Sequence, residues 1–293
     1  MQKSIRQILS VCPRHIQSFV ETLPEERQNR IEELRFRLGQ PVTALVSAKE
    51  TVLDCAKTDR QCLEWILGRA TGQAVYSSQE TLKNGFVTLP GGHRIGVCGR
   101  AVYRDGELYT FREISSLNLR VARQIKGVGE SAFGCLWTHP ASTLIIGPPG
   151  RGKTTLLRDL IRLLSDRSGF RVSVADERME IAACLDGQAQ FDLGAHSDIL
   201  SGVKKTEAIE LLLRSMNPQW IALDEITAQE DVKAMIEASY CGVRFLATAH
   251  ASCKSELSQR PVYRQLLSAG IFETLIVILP DRTLKTERLI ANA

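Results

Sequence analysis

The 293-residue chain has no Cys-x-x-Cys pair among its eight cysteines, which lie at 12, 55, 62, 98, 135, 184, 241 and 253. That spacing excludes a zinc ribbon and a thioredoxin-like redox site, so no zinc is expected. Nor is so scattered a set the disulfide framework of a short secreted domain. Cys98, Cys184 and Cys241 sit in apolar runs, where a thiol packs as a small hydrophobe, and a reducing cytoplasm is the expected location. The N-terminus carries Lys3, Arg6 and Arg14 but lacks the apolar core of a signal peptide. The longest apolar stretch near the C-terminus, Ile271–Pro280, falls far short of the ~20 residues of a bilayer-spanning helix. No transmembrane helix is expected, and any membrane role must pass through partners. Repeats and low-complexity tracts are lacking. The charge excess is small, 37 Lys and Arg against 33 Asp and Glu, without the dense basic stripe of a duplex binder, so no nucleic-acid partner is expected.

What is present changes in texture along the chain. Residues 1–38 read as helices, with Ile5, Ile8 and Leu9, then Ile31, Leu34 and Leu38, at helical spacing. Gly39-Gln-Pro41 breaks the pattern. A strand is expected over 42–47, a helix over 58–70, and a β-meander over 85–113 with turns at Pro-Gly-Gly and Asp-Gly. From residue 142 short apolar strands (143–147, 170–176, 220–225, 243–250, 271–279) alternate with helical patterns (154–166, 206–216, 229–240, 254–268). Strands that are apolar almost throughout, separated by helices, imply a parallel sheet covered on both faces. The expected architecture is an α+β domain over 1–124, a linker over 125–140, and an α/β P-loop domain of RecA-like build over 141–293.

Gly147-Pro148-Pro149-Gly150-Arg151-Gly152-Lys153-Thr154 fits G-x-x-x-x-G-K-[ST] between an apolar strand and an amphipathic helix. Each residue type has a physical reason. Glycines let the backbone approach phosphate oxygens, successive N–H groups form an anion nest, and the helix adds its free amides and positive end. Lys153 supplies a mobile charge for the β- and γ-phosphates. The Thr154 hydroxyl is expected to ligate Mg²⁺, which keeps most of its water shell, and Thr155 beside it is expected to bind the nucleotide with the rest of the loop. No guanine-reading Asn-Lys-x-Asp occurs, which favours ATP.

Hydrolysis also needs a carboxylate near the metal and a group that orients water. Asp224 ends the apolar strand expected over 220–225 and Glu225 follows it, the expected pair for metal and water. Asp176, Glu177 and Glu180 end another strand, with Arg178 among them. Acids at carboxyl ends of parallel strands face the ligand crevice, so Glu180 competes with Glu225 as the base. His250 ends a third strand, where it can sense the γ-phosphate.

The order P-loop, "DERMEI", "LLLRSMNPQWIALDEITAQED", "RFLATAHAS" resembles the ATPases of type II and type IV secretion systems. Leu213-Arg214, Pro218 and Glu225-Ile226 match the family's Walker-B segment, Glu180 the second acid of its aspartate box, and His250 its histidine box. The arginine of the family's "E-I-R-D" is replaced by Thr227. The N-terminal stretches "IEELRFRLGQPV", "GFVTLPGGHRIGVCGRAV" and "ISSLNLRVARQIKG" resemble the stage III sporulation protein AA family, and the two likenesses together span nearly the whole chain. The resemblance implies an ATPase on the mother-cell side of endospore formation, acting as a hexameric ring with integral membrane components of a channel complex. It implies phosphate-clamping arginines from the N-terminal part, for which Arg120 and Arg123 are candidates, with Arg94, Arg100 and Arg214 behind them. No domain is expected beyond the core. A RecA-like nucleic-acid translocase using Arg35, Arg37, Arg94 and Arg100, and a non-catalytic ATP-dependent switch, stay open as rivals.

Overall fold

A computed structural model describes residues 2–47, 49–72 and 85–289. The chain divides into two compact units, Met1–Arg123 with Leu185–Gln190, and Gln124–Cys184 with Phe191–Ala293.

The first unit begins with α1 (Lys3–Leu9), α2 (Arg14–Thr22) and α3 (Glu25–Asn29), followed by β1 (Ile31–Arg37), β2 (Pro41–Val46), β3 (Lys49–Lys57), α4 (Arg60–Ala70), β4 (Phe86–Leu89), β5 (His93–Arg104) and β6 (Glu107–Arg120). The strands form an antiparallel sheet in the order β3-β2-β1-β6-β5-β4. One face buries Leu34, Phe36, Val42, Ile95, Leu117 and Leu119 against Ile5, Ile8, Ile16 and Val20 of the first two helices and Leu63 and Ile66 of α4. The Asp59 carboxylate caps α4 by accepting the Cys62 N–H at 2.7 Å.

Ile31–Arg37 is a strand, not the helix that its spacing predicts. Ile31, Leu34 and Leu38 share helical spacing by coincidence, since Leu38 is exposed. The pattern that governs is the two-residue alternation of buried Leu34 and Phe36 with Arg35 and Arg37. The expected meander is present and longer, because β6 runs on through Arg120 to pair with β1, Glu33 opposite Arg120.

The second unit contains α5 (Glu130–Thr138), β7 (Thr143–Ile146), α6 (Lys153–Ser168), β8 (Val172–Asp176), β9 (Ser197–Ser201), α7 (Lys205–Met216), β10 (Trp220–Leu223), α8 (Gln229–Ser239), β11 (Arg244–Ala249), α9 (Lys254–Gln259), α10 (Pro261–Ser268), β12 (Thr274–Ile278) and β13 (Leu284–Arg288). Its sheet runs β13-β12-β7-β11-β10-β8-β9. All neighbours pair parallel except β13, which lies antiparallel to β12 and carries a Lys285–Glu287 ion pair at 2.8 Å. Each inner strand divides its side chains between two cores. Leu144, Ile146, Ile221 and Leu223 pack with Ile209, Val232 and Leu266 of α7, α8 and α10. Ile145, Trp220, Ala222 and Leu246 pack with Phe133 of α5 and Leu157, Leu160 and Leu164 of α6. Burial on both faces is why these strands read as unbroken apolar runs.

The stretch 125–140, which reads as a linker, holds α5, whose Ala132, Phe133 and Leu136 enter the second core. The helix expected over 254–268 is two, interrupted at Arg260-Pro261, because proline disfavours a helical residue before it. The described cysteines 12, 62, 98, 135, 184, 241 and 253 are free thiols. No described helix is long and apolar enough to cross a membrane.

In the first unit His93 is fully buried, and its Nδ1 accepts the Ala122 N–H at 2.9 Å, which fixes the neutral ring. Burial, then the nearby Arg123 charge, lowers its pKa to about 4. The unfolded imidazole therefore takes up its proton first, near pH 6.5, so stability is lost as pH falls from there to about 4; the full loss is about 3 kcal/mol. Hydrogen exchange of the β5 and β6 amides, corrected for intrinsic rates, should show this loss between pH 7 and 4.5, and His93→Gln should flatten it.

Candidate functional site

The glycine-rich loop follows β7, and its backbone takes the conformation that its composition predicts. Gly150 and Gly152 have φ of +72° and +92°, open to glycine and strained for a residue with a Cβ. No side chain caps α6, so the amides of Lys153, Thr154 and Thr155 lie free of intrahelical partners. Pro148 and Pro149 lack an N–H, which leaves the donors to Gly150 and the residues after it. The Arg151 guanidinium donates to the Pro280 carbonyl at 2.8 Å and ties the loop to the end of β12.

Lys153 folds back over its own loop. Its ammonium donates to the carbonyls of Gly147 at 2.9 Å and Pro148 at 3.1 Å, and to His250 Nδ1 at 2.7 Å. An ammonium has only donors, so Nδ1 must accept and the His250 hydrogen sits on Nε2. That nitrogen lies 3.0 Å from Glu225 Oε2. The result is a chain from Lys153 through neutral His250 to Glu225, joining the ends of β7, β11 and β10. Burial lowers the Lys153 pKa, while the Glu225 and Asp224 charges oppose that shift.

Asp224 stands between two hydroxyls. Thr248 Oγ1 donates to its Oδ1 at 2.9 Å, and Thr154 Oγ1 lies 3.5 Å from its Oδ2. A hydroxyl and a carboxylate so close are hard oxygen donors of the kind that would suit Mg²⁺. Thr248 is the site residue that the motif reading misses. Its signal is a polar side chain in the otherwise apolar run Phe245–Ala249. Glu225 is held by its neighbour, since the Ile226 N–H donates to the Thr248 carbonyl at 3.1 Å and the Tyr263 hydroxyl to the Ile226 carbonyl at 2.8 Å. Arg178 Nη1 stands 4.0 Å from Glu225 Oε2.

The acids after β8 divide in role. Asp176 is buried, and its carboxylate accepts the N–H groups of Glu180, Ile181 and Ala182 at 2.7–2.9 Å. Burial pushes its carboxyl up, and the three amides pull it down. It organises the loop that carries Glu180, whose carbonyl accepts from Arg158 at 2.7 Å. Among the arginines expected to clamp phosphate, Arg123 donates to the carbonyls of Asn29 and Ile31 at 2.9 and 2.6 Å. Arg120 faces Glu33 at 3.6 Å and Arg100 faces Glu113 at 3.2 Å. Arg94 lies over the Phe86 ring, and exposed Arg214 pairs with Glu210 one turn away.

A family model described as "Sporulation stage III, protein AA" matches residues 1–288. The chain belongs to the stage III sporulation protein AA family. This AA-family chain is 36% identical over 274 residues to the stage III sporulation protein AA of Bacillus subtilis (strain 168), covering 92% of the one and 89% of the other. It is 31% identical over 187 residues to the uncharacterized protein ycf45 of Porphyra purpurea, 59% of this chain and 32% of that one. Among solved structures it resembles the Legionella pneumophila ATPase DotB, with a TM-score of 0.59 at 15% identity, covering 96% of this chain and 78% of that one. It also resembles the ADP-bound pilus retraction motor PilT, with a TM-score of 0.60 at 16% identity, covering 92% and 82%. At those identities the likeness shows the fold, a RecA-like α/β core.

Asp176→Ala should leave two buried amides and one half-buried amide without an acceptor, at a cost of about 2 kcal/mol or more. Urea denaturation followed by circular dichroism checks this; a cost below about 1 kcal/mol would mean that the loop finds other acceptors.

Proposed function

We propose that this chain is an ATPase whose turnover energises a secretion-like complex spanning the envelope during endospore formation. It would work from the mother-cell cytoplasm as a ring of subunits, six by the family likeness, held at the membrane by integral membrane partners. The observation that carries the reading is the convergence of Lys153, Thr154, Asp224, Glu225 and His250, from separate strand ends, at the mouth of one phosphate nest.

The substrate is ATP, and the reaction is in-line attack of water on the γ-phosphorus. Lys153 would exchange its carbonyl and imidazole contacts for β- and γ-phosphate oxygens. Thr154, and Asp224 through water, would hold Mg²⁺, which when bound neutralises charge developing on the phosphate oxygens. Glu225 would orient the water and take its proton. His250, released from Lys153 as the γ-phosphate arrives, would keep its Nε2 hydrogen on Glu225 and so report the nucleotide to the base. Fixed donors aimed at developing charge supply most of the stabilisation in such sites.

Lys153→Ala should abolish ATP turnover with the fold intact; wild-type turnover would refute the site. Glu225→Gln should bind ATP and lower kcat by about 100-fold or more, and a stall with Glu180→Gln alone would instead make Glu180 the base. Turnover per subunit should rise with protein concentration as rings form, followed by light scattering with and without ATP. A monomer whose rate ignores concentration would remove the ring, and stimulation by single-stranded DNA would favour a translocase.

A further inference from the structure

Lys205 opens α7 and is 5% exposed. Its ammonium bonds the Glu177 carboxylate. The backbone brings the two together by a short route. β9 runs parallel to β8 with Ser201 opposite Asp176, and the Gly202 N–H donates to the Asp176 carbonyl at 3.1 Å. Gly202 turns at φ +76°, and a Cβ there would come within 3.0 Å of Met179 Cε. The turn therefore folds over the end of β8 and delivers Lys205 to the crevice side of the sheet.

Lys205, Glu177, Arg178, Asp224 and Glu225 line a cavity of about 10 Å³, about the space of one water. Every wall of it is ionisable. A buried lysine is costly unless its charge is answered, and here the answering carboxylate shares the cavity with Asp224 and Glu225.

We propose that Lys205 is a positioning residue of the nucleotide site, neutralising Glu177 so that the acidic wall formed with Asp224 and Glu225 admits a polyphosphate. The inference rests on the nucleotide reading above. Three carboxylates and two cations leave the wall with one net negative charge. Without Lys205 that becomes two, without Glu177 it becomes zero, and without both it returns to one. Lys205 thus acts on the nucleotide through Glu177, and removing Glu177 should cancel the loss of Lys205.

The test is equilibrium binding of a fluorescent ATP analogue to the full chain, in EDTA and in Mg²⁺, which needs no turnover. Lys205→Met should weaken metal-free binding about tenfold or more, less in Mg²⁺, and the defect should shrink as salt is raised. Glu177→Gln should bind more tightly than wild type, and the double variant should return to within about threefold of it. In turnover the Lys205→Met defect should fall on KM more than on kcat. A Lys205→Met protein that binds like wild type, or a double variant as weak as Lys205→Met, overturns the proposal. If Lys205→Met does not fold, Glu177→Gln and the double variant decide it, since the double leaves no buried charge unpaired; weaker binding by Glu177→Gln overturns it. Lys153→Ala, measured alongside, separates the two failures. If Lys153→Ala binds normally, the nucleotide reading falls and the proposal with it; if only Lys205→Met binds normally, the proposal alone falls.

Discussion

Strands buried on both faces have nowhere but their ends to show polar chemistry. β7, β8, β10 and β11 are buried along almost their whole length, and because they run parallel their carboxyl ends all open on the same side. The loop after β7, the acids after β8, the Asp-Glu pair after β10 and the histidine after β11 therefore meet without any of them being adjacent in sequence. The order of strands decides which ends are neighbours. With β11 between β7 and β10, His250 falls between the lysine of the loop and the glutamate of the acid pair, and its two ring nitrogens span the gap.

That placement makes the site electrostatically self-contained. Lys153 is satisfied by the carbonyls of its own loop and by an imidazole, so the buried ammonium has its partners within the site. A phosphate oxygen would offer that ammonium a charged acceptor where the carbonyls offer neutral ones. Asp224 is steadied by Thr248 on one oxygen while the other faces Thr154. Asp176 is spent entirely on backbone amides and serves as scaffold. Acids at neighbouring strand ends thus do different work according to what each carboxylate touches.

The parts of this arrangement that depend on local rules were legible in the sequence. Glycines between an apolar strand and a helix announce the bend after β7 with its positive φ angles, and the apolar runs from residue 143 onward announce a parallel sheet. Tertiary context hid the rest. Ile31–Arg37 carries helical and strand periodicities at once, and only pairing with β2 and β6 selects the strand. The stretch 125–140 reads as linker, yet Phe133 and Leu136 of α5 are core residues. β9 is silent in the sequence because its five residues are half-buried and three of them are polar, and the route that delivers Lys205 is silent with it. Thr248 and Lys205 belong to no motif; their importance comes from the carboxylates that the fold sets opposite them.

The sheet of the second unit closes on one side with a strand of reversed direction, β13, bearing a lysine and a glutamate that grip each other along its length. Such charged side chains make a poor template for another polypeptide to zip onto. On that flank the described edge favours contacts made through side chains over a shared ladder of backbone bonds.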